Sequence, residues 1–156
     1  MDIKKIIKDA KSDTELLSTI DIDELLNAVE NDKNEHLDNK TLHDISQEIS
    51  QEIRTLKLAK DPTKQILEKL GDYRYIDEIY QLHRGKYVRW IRRANPEKLV
   101  NGGIVVDVKF LGNGTHIVVK NNMHKFIQYK FDECITFQKL STDELMILMA
   151  YENIHF

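Results

Sequence analysis

The chain is short of the residues that cross-link or punctuate a fold. Its 156 residues include one cysteine, two prolines, six glycines and one tryptophan. The single thiol, Cys134, excludes an intramolecular disulfide and fits a reducing compartment. No apolar run approaches the ~20 residues of a membrane-spanning helix, and the opening MDIKKIIKDAKSD lacks the apolar stretch of a secretory signal. A soluble, intracellular, cytoplasmic protein without a membrane partner is expected. Neither sign of charge dominates: 23 Lys and Arg stand against 26 Asp and Glu, net −3, which by itself selects no polyanionic partner.

Signatures of chemistry are equally scarce. NGG and GNG are turn sequences, and neither is followed by the Lys-Ser/Thr of a phosphate-binding loop. Cys134, His116 and His124 lack the paired spacing of a zinc site. A lone cysteine on a strand is by default a small core residue, and a thiol enzyme pairing Cys134 with a histidine is the remote alternative. Asp107, Asp132, Glu133 and Asp143 read as solvated charges and helix-start acids. The expectation is no enzyme, no catalytic residues, no cofactor and no metal.

What is present divides the chain by charge. Residues 1–60 carry 9 basic and 14 acidic side chains, and residues 61–156 carry 14 and 12. The first part reads as an acidic helical arm. Ile3, Ile6, Ile7 and Ala10 mark one short helix, and Asp21 with Glu24 caps another ahead of Leu25, Leu26 and Val29. Asn31 to Asn39 reads as a loop or frayed turn. In TLHDISQEISQEIRTLKLAK the residues Leu42, Ile45, Ile49, Ile53 and Leu56 fall on one narrow stripe. That stripe either packs on the rest of this chain or serves as an interaction helix, for self-association or a protein partner.

Asp61-Pro62 is a helix-start signal and Gly71 a stop. Tyr75, Ile76, Ile79, Tyr80 and Leu82 then recur at helical spacing, so residues 61–85 are expected to form a helical hairpin. After Gly85 the period changes to two. Tyr87–Ile91, the two runs flanking Asn113-Gly114, KFIQYKFDE and CITF read as five short antiparallel strands. Asn113-Gly114 is expected to occupy a type I′ turn. Ser141 and Glu144 form a capping box for a last helix, residues 141–156.

The sequence is therefore read as α+β, with a β domain over residues 86–140. GKYV opening the first strand, NGGIVVDV opening the second and the tight GNG hairpin make this region resemble the SH3-like barrel superfamily of Tudor, KOW and SH3 modules. That resemblance implies a five-stranded barrel and a choice of partners among nucleic acid, methylated residues and peptides. The Tudor aromatic cage and the acidic loop of signalling SH3 domains have no counterparts. The Lys, Asn and Ile bias also resembles the style of small proteins from large AT-rich DNA viruses, which would place the chain in a host cytoplasm or virion.

One stretch invites a binding role. RGKYVRWIRR sets Arg84, Lys86, Arg89, Arg92 and Arg93 around Tyr87 and Trp90 with no acid among them. As an edge strand it offers a basic surface, extended by Lys109, Lys120, Lys125 and Lys130, with Tyr87 or Trp90 for stacking on nucleic acid. As one helix from Tyr73 to Arg93 it would line Arg89, Arg92 and Arg93 along one side. In the plainer reading Trp90 anchors the core and the arginines pair with the acidic arm. A non-enzymatic protein-interaction or scaffold module is the expected function, with nucleic-acid binding through residues 84–93 as the alternative.

Overall fold

The computed structural model describes residues 22–154. In chain order these form α1 (Ile22–Glu30), a 3-10 turn (Asp32–Leu37), α2 (Leu42–Arg54), α3 (Lys60–Lys69), β1 (Tyr73–Ile76), a 3-10 turn (Ile79–Gln81), β2 (Tyr87–Arg92), β3 (Asn95–Leu99), β4 (Gly103–Leu111), β5 (Gly114–Lys120), β6 (Phe126–Lys130), a 3-10 turn (Phe131–Glu133), β7 (Cys134–Lys139) and α4 (Thr142–Ile154). The fold is α+β. The first expected helix, and Asp21 of the expected cap, lie outside the described residues.

The chain divides into two compact units, one of residues up to Ile45 together with those from Leu140, the other Ser46–Lys139. In the first, Leu25, Ala28, Val29, Leu37 and Ile45 share a core with Ile147, Leu148 and Tyr151 of α4. The Ser141–Glu144 cap forms as expected: the Glu144 N–H donates to Ser141 Oγ (3.2 Å) and the Ser141 N–H to Glu144 Oε1 (3.0 Å). Thr41 and Asp44 make the same reciprocal pair at the start of α2. Within Asn31 to Asn39, expected as a loop or frayed turn, residues Asp32–Leu37 form a 3-10 turn, and the buried Asn34 Nδ2 donates to Ala28 O at 3.0 Å.

The second unit is built on a seven-stranded antiparallel sheet, in the order β1-β7-β2-β4-β5-β6, with β3 paired to β2. This corrects the five-strand count. The sheet coils strongly, for the Trp90 ring on β2 stacks on Tyr129 of β6, three strands along. It does not close into a barrel: no ladder joins β6 to β1. Val88, Trp90, Val105, Ile117, Val119 and Tyr129 belong to one core. Ile91, Ile135, Phe137 and Tyr73 belong to a second, packed with Ile49 and Ile53 of α2 and Ile66 of α3.

Several expectations fall on this architecture. Residues 61–85 are not a helical hairpin. After α3 the chain pairs as β1 with β7, Tyr75 opposite Phe137 and Ile76 opposite Thr136, so sheet pairing overrides a helical spacing of apolar residues. Neither is Tyr73 to Arg93 one helix. β2 is central rather than an edge, flanked by β7 on one side and by β3 and β4 on the other, with Val88 and Trp90 buried on one face and Ile91 on the other. The β4–β5 connection is Gly112-Asn113 rather than Asn113-Gly114, since Leu111 pairs with Gly114 and the positive φ falls on Gly114 (125°).

Candidate functional site

The basic stretch is dispersed by the fold. Arg84 is exposed and its Nη2 sits 3.0 Å from Asp107 Oδ1. Lys86 is half-buried and its carbonyl accepts from the Val105 N–H (2.9 Å). The Tyr87 hydroxyl donates to Asn101 O (2.7 Å), and Arg89 Nε donates to Val100 O (3.1 Å). Trp90 is fully buried, a core anchor and not a stacking platform. Arg92 and Arg93 remain exposed. Among the described residues neither forms an ion pair.

The expected interaction helix is likewise absorbed. Ile45, Ile49 and Ile53 are buried, Leu42 and Leu56 half-buried. Ile45 and Leu42 pack in the first unit's core, and Ile49, Ile53 and Leu56 in the second's. α2 thus offers no free apolar stripe, which follows from the need of so polar a helix to pack its one apolar face.

The clefts among the described residues include two that border the sheet. The smaller, about 360 Å³, gathers Tyr73, Tyr87, Arg89, Asn101, Asn122 and Lys139. Lys139 is matched by Asp72 at 3.7 Å. The larger, about 920 Å³, is lined by Arg92 and Arg93 at the end of β2, by β6 from Gln128 to Lys130, and by Asp132, Glu133 and Cys134. His116 also lines it. Gln128 Nε2 lies 2.9 Å from His116 Nδ1, and Asn113 Oδ1 lies 3.0 Å from Nε2. With the Gln128 amide as donor, Nδ1 accepts and Nε2 carries the proton that Asn113 accepts.

Cys134 and His116 therefore share a cleft without forming a nucleophile–base pair. Burial pushes the Cys134 thiol up to about 11, with Glu133 in the same direction and the Arg92 and Arg93 guanidiniums opposing. At neutral pH it is a protonated, weakly reactive thiol. Both imidazole nitrogens are engaged, and among the described residues no hydrogen bond joins the two side chains. His124 stands apart in the β5–β6 turn with φ of 61°.

Of the remaining lysines, Lys109 and Lys130 flank His116 in one cross-strand row and share a sheet face with Lys120. Lys120 lies over the Phe126 ring (5.9 Å to its centre), Lys130 is 3.6 Å from Glu133, and Lys109 and Lys125 are exposed. The sequence reading missed Gln128 and Tyr129 as cleft residues. The available signal was that KFIQYK ends a three-strand meander and so has one certain neighbour. Among the described residues no helix is long and apolar enough to cross a membrane. No protein-family model matches the chain, and neither the curated proteins nor the solved structures contain a match to it.

Proposed function

We propose that the protein is a non-enzymatic protein-interaction module whose docking surface lies on the β4–β6 meander. The observation that carries this is where its apolar side chains are left in water. Of the eight large apolar residues exposed among those described, six (Ile104, Val106, Phe110, Leu111, Met123 and Phe126) lie on this meander, with Phe110 72% and Phe126 67% exposed, and only Tyr80 and Met149 lie elsewhere. Ile104 and Phe126 flank Lys120 in one cross-strand row. Exposed aromatic and aliphatic groups rimmed by polar ones are the usual mark of an interface.

The reading also takes in the likeness of residues 86–140 to SH3-like modules, which rests on GKYV, NGGIVVDV and the GNG hairpin of the sequence. Nucleic-acid binding through residues 84–93 draws less support, because Trp90 is buried and Arg84 and Arg89 are already engaged. Sedimentation velocity and pull-down of the chain against its Phe110→Ser/Phe126→Ser variant test the proposal. Association with a protein partner or with itself should be lost in the variant while near-ultraviolet circular dichroism is unchanged. A wild-type chain that stays monomeric and retains no more protein than the variant would overturn it.

A further inference from the structure

The larger cleft meets Gln128, Tyr129 and Lys130, three consecutive residues of β6. Strand side chains alternate between faces, so a cavity over one face meets every second residue. A cavity meeting three in a row runs along the strand's edge. β6 is paired with β5 alone. The Asn121 N–H donates to Lys125 O at 2.9 Å, so the bonded pairs continue, in the observed register, at Val119–Ile127 and Ile117–Tyr129. The N–H and C=O groups of Phe126 and Gln128 are directed away from β5. Among the described residues they meet no backbone partner.

Across the cleft stand Arg92, Arg93 and Ala94, where β2 turns into β3. This turn is fixed by the Arg93 N–H, which donates to Glu133 O at 3.1 Å. Lys130 is offset by Glu133, but the two guanidiniums have no such partner among the described residues. One wall thus presents an open backbone ladder, and the other presents two exposed guanidiniums without an ion pair among the described residues, in a fork geometry suited to carboxylates. With Lys130 they outnumber the two carboxylates of the cleft, Asp132 and Glu133.

We propose that this cleft receives an extended acidic peptide segment, which adds as a strand to the free edge of β6 and sets its carboxylates against Arg92 and Arg93. The inference rests on the protein-interaction reading and names the partner's chemistry. Backbone pairing supplies attraction that depends little on sequence, and the arginines select the sign of the side chains. A volume of about 920 Å³ lies near the upper end of the ~300–1,000 Å³ usual for ligand clefts.

The probe is a short fluorescein-labelled peptide of alternating threonine and glutamate, titrated at low salt with the whole chain and followed by fluorescence anisotropy. Saturable binding is expected, weakened roughly tenfold or more in Arg92→Glu/Arg93→Glu. Both sites are exposed, and circular dichroism verifies that the variant folds. N-methylation of alternate peptide nitrogens on the pairing edge should abolish binding. Equal affinity for a threonine–lysine peptide, or for the N-methylated peptide, would overturn the inference. So would an oligothymidylate that displaces the peptide and binds more tightly. Failure of the peptide while the wild-type chain still associates in sedimentation or pull-down overturns the acidic-strand assignment alone. Failure of both overturns the interaction reading with it.

Discussion

The Trp90 indole lies stacked on the Tyr129 ring, with ring centres 4.0 Å apart and planes inclined by 15°. Both residues are buried, and the strands that carry them are separated in the sheet by β4 and β5. The contact therefore records the coiling of the sheet. The Tyr129 hydroxyl reaches onward to Thr136 Oγ1, 3.0 Å away on β7, so one side chain ties the last strand of the meander to a strand near the other end of the sheet.

Truncating the indole should be among the costliest changes in the chain. Trp90→Ala is expected to lower unfolding stability by about 3–5 kcal/mol through lost burial and the cavity left behind. Tyr129→Phe keeps the ring and removes one buried hydroxyl contact, so a loss of about 1–2 kcal/mol is expected. Urea unfolding followed by circular dichroism measures both, and a Tyr129→Phe loss as large as that of Trp90→Ala would contradict the stacking-centred account.

Gly102 is fixed by its surroundings. Its φ is +80°, and a Cβ there would stand 1.8 Å from Val88 O. Gly102→Ala must displace β2 from the chain entering β4, and a soluble chain that has lost its cooperative thermal transition is the expected outcome. Gly112, where a Cβ meets nothing within 4 Å, is the control: Gly112→Ala should change the transition temperature little.

Much of this was legible in the sequence. The β-branched alternation in residues 103–111 and 114–120 identified β4 and β5, and Ser141 with Glu144 identified the start of α4. β1 was not, because Tyr75, Ile76, Ile79 and Tyr80 fit a helical repeat as well as a strand, and only pairing with β7 decides between them. β3 begins at Asn95-Pro96, which reads as a turn, and proline is tolerated there because β3 has a single neighbour. The larger cleft was illegible for a different reason. It joins residues 92–94 to 128–134 through the coiling of the sheet, which no local pattern encodes.

Alkaline pH should loosen the second unit. Burial raises the Cys134 thiol from an ordinary value of about 9 to about 11, and burial likewise raises Tyr75 to about 12. A group raised in the folded state stabilises fully below its unfolded value. As pH rises from about 9 toward 11, the unfolded chain releases the Cys134 proton first, so stability falls across that window, and Tyr75 extends the fall. Cys134→Ala should flatten the slope of unfolding free energy against pH between 9 and 11. Iodoacetamide should alkylate the native chain at pH 8 far more slowly than the urea-unfolded chain. A native rate equal to the unfolded one would contradict the burial.

The sheet coils without closing, and among the described residues β6 pairs with β5 alone, so its other edge is open. Amide hydrogen exchange along β6, read residue by residue, tests it most directly. Slow exchange is expected at Ile127 and Tyr129, whose N–H groups bond to β5, and fast exchange at Phe126 and Gln128, whose N–H groups face the open edge. Equal, strong protection at all four amides would contradict it, because β6 would then be paired on both sides.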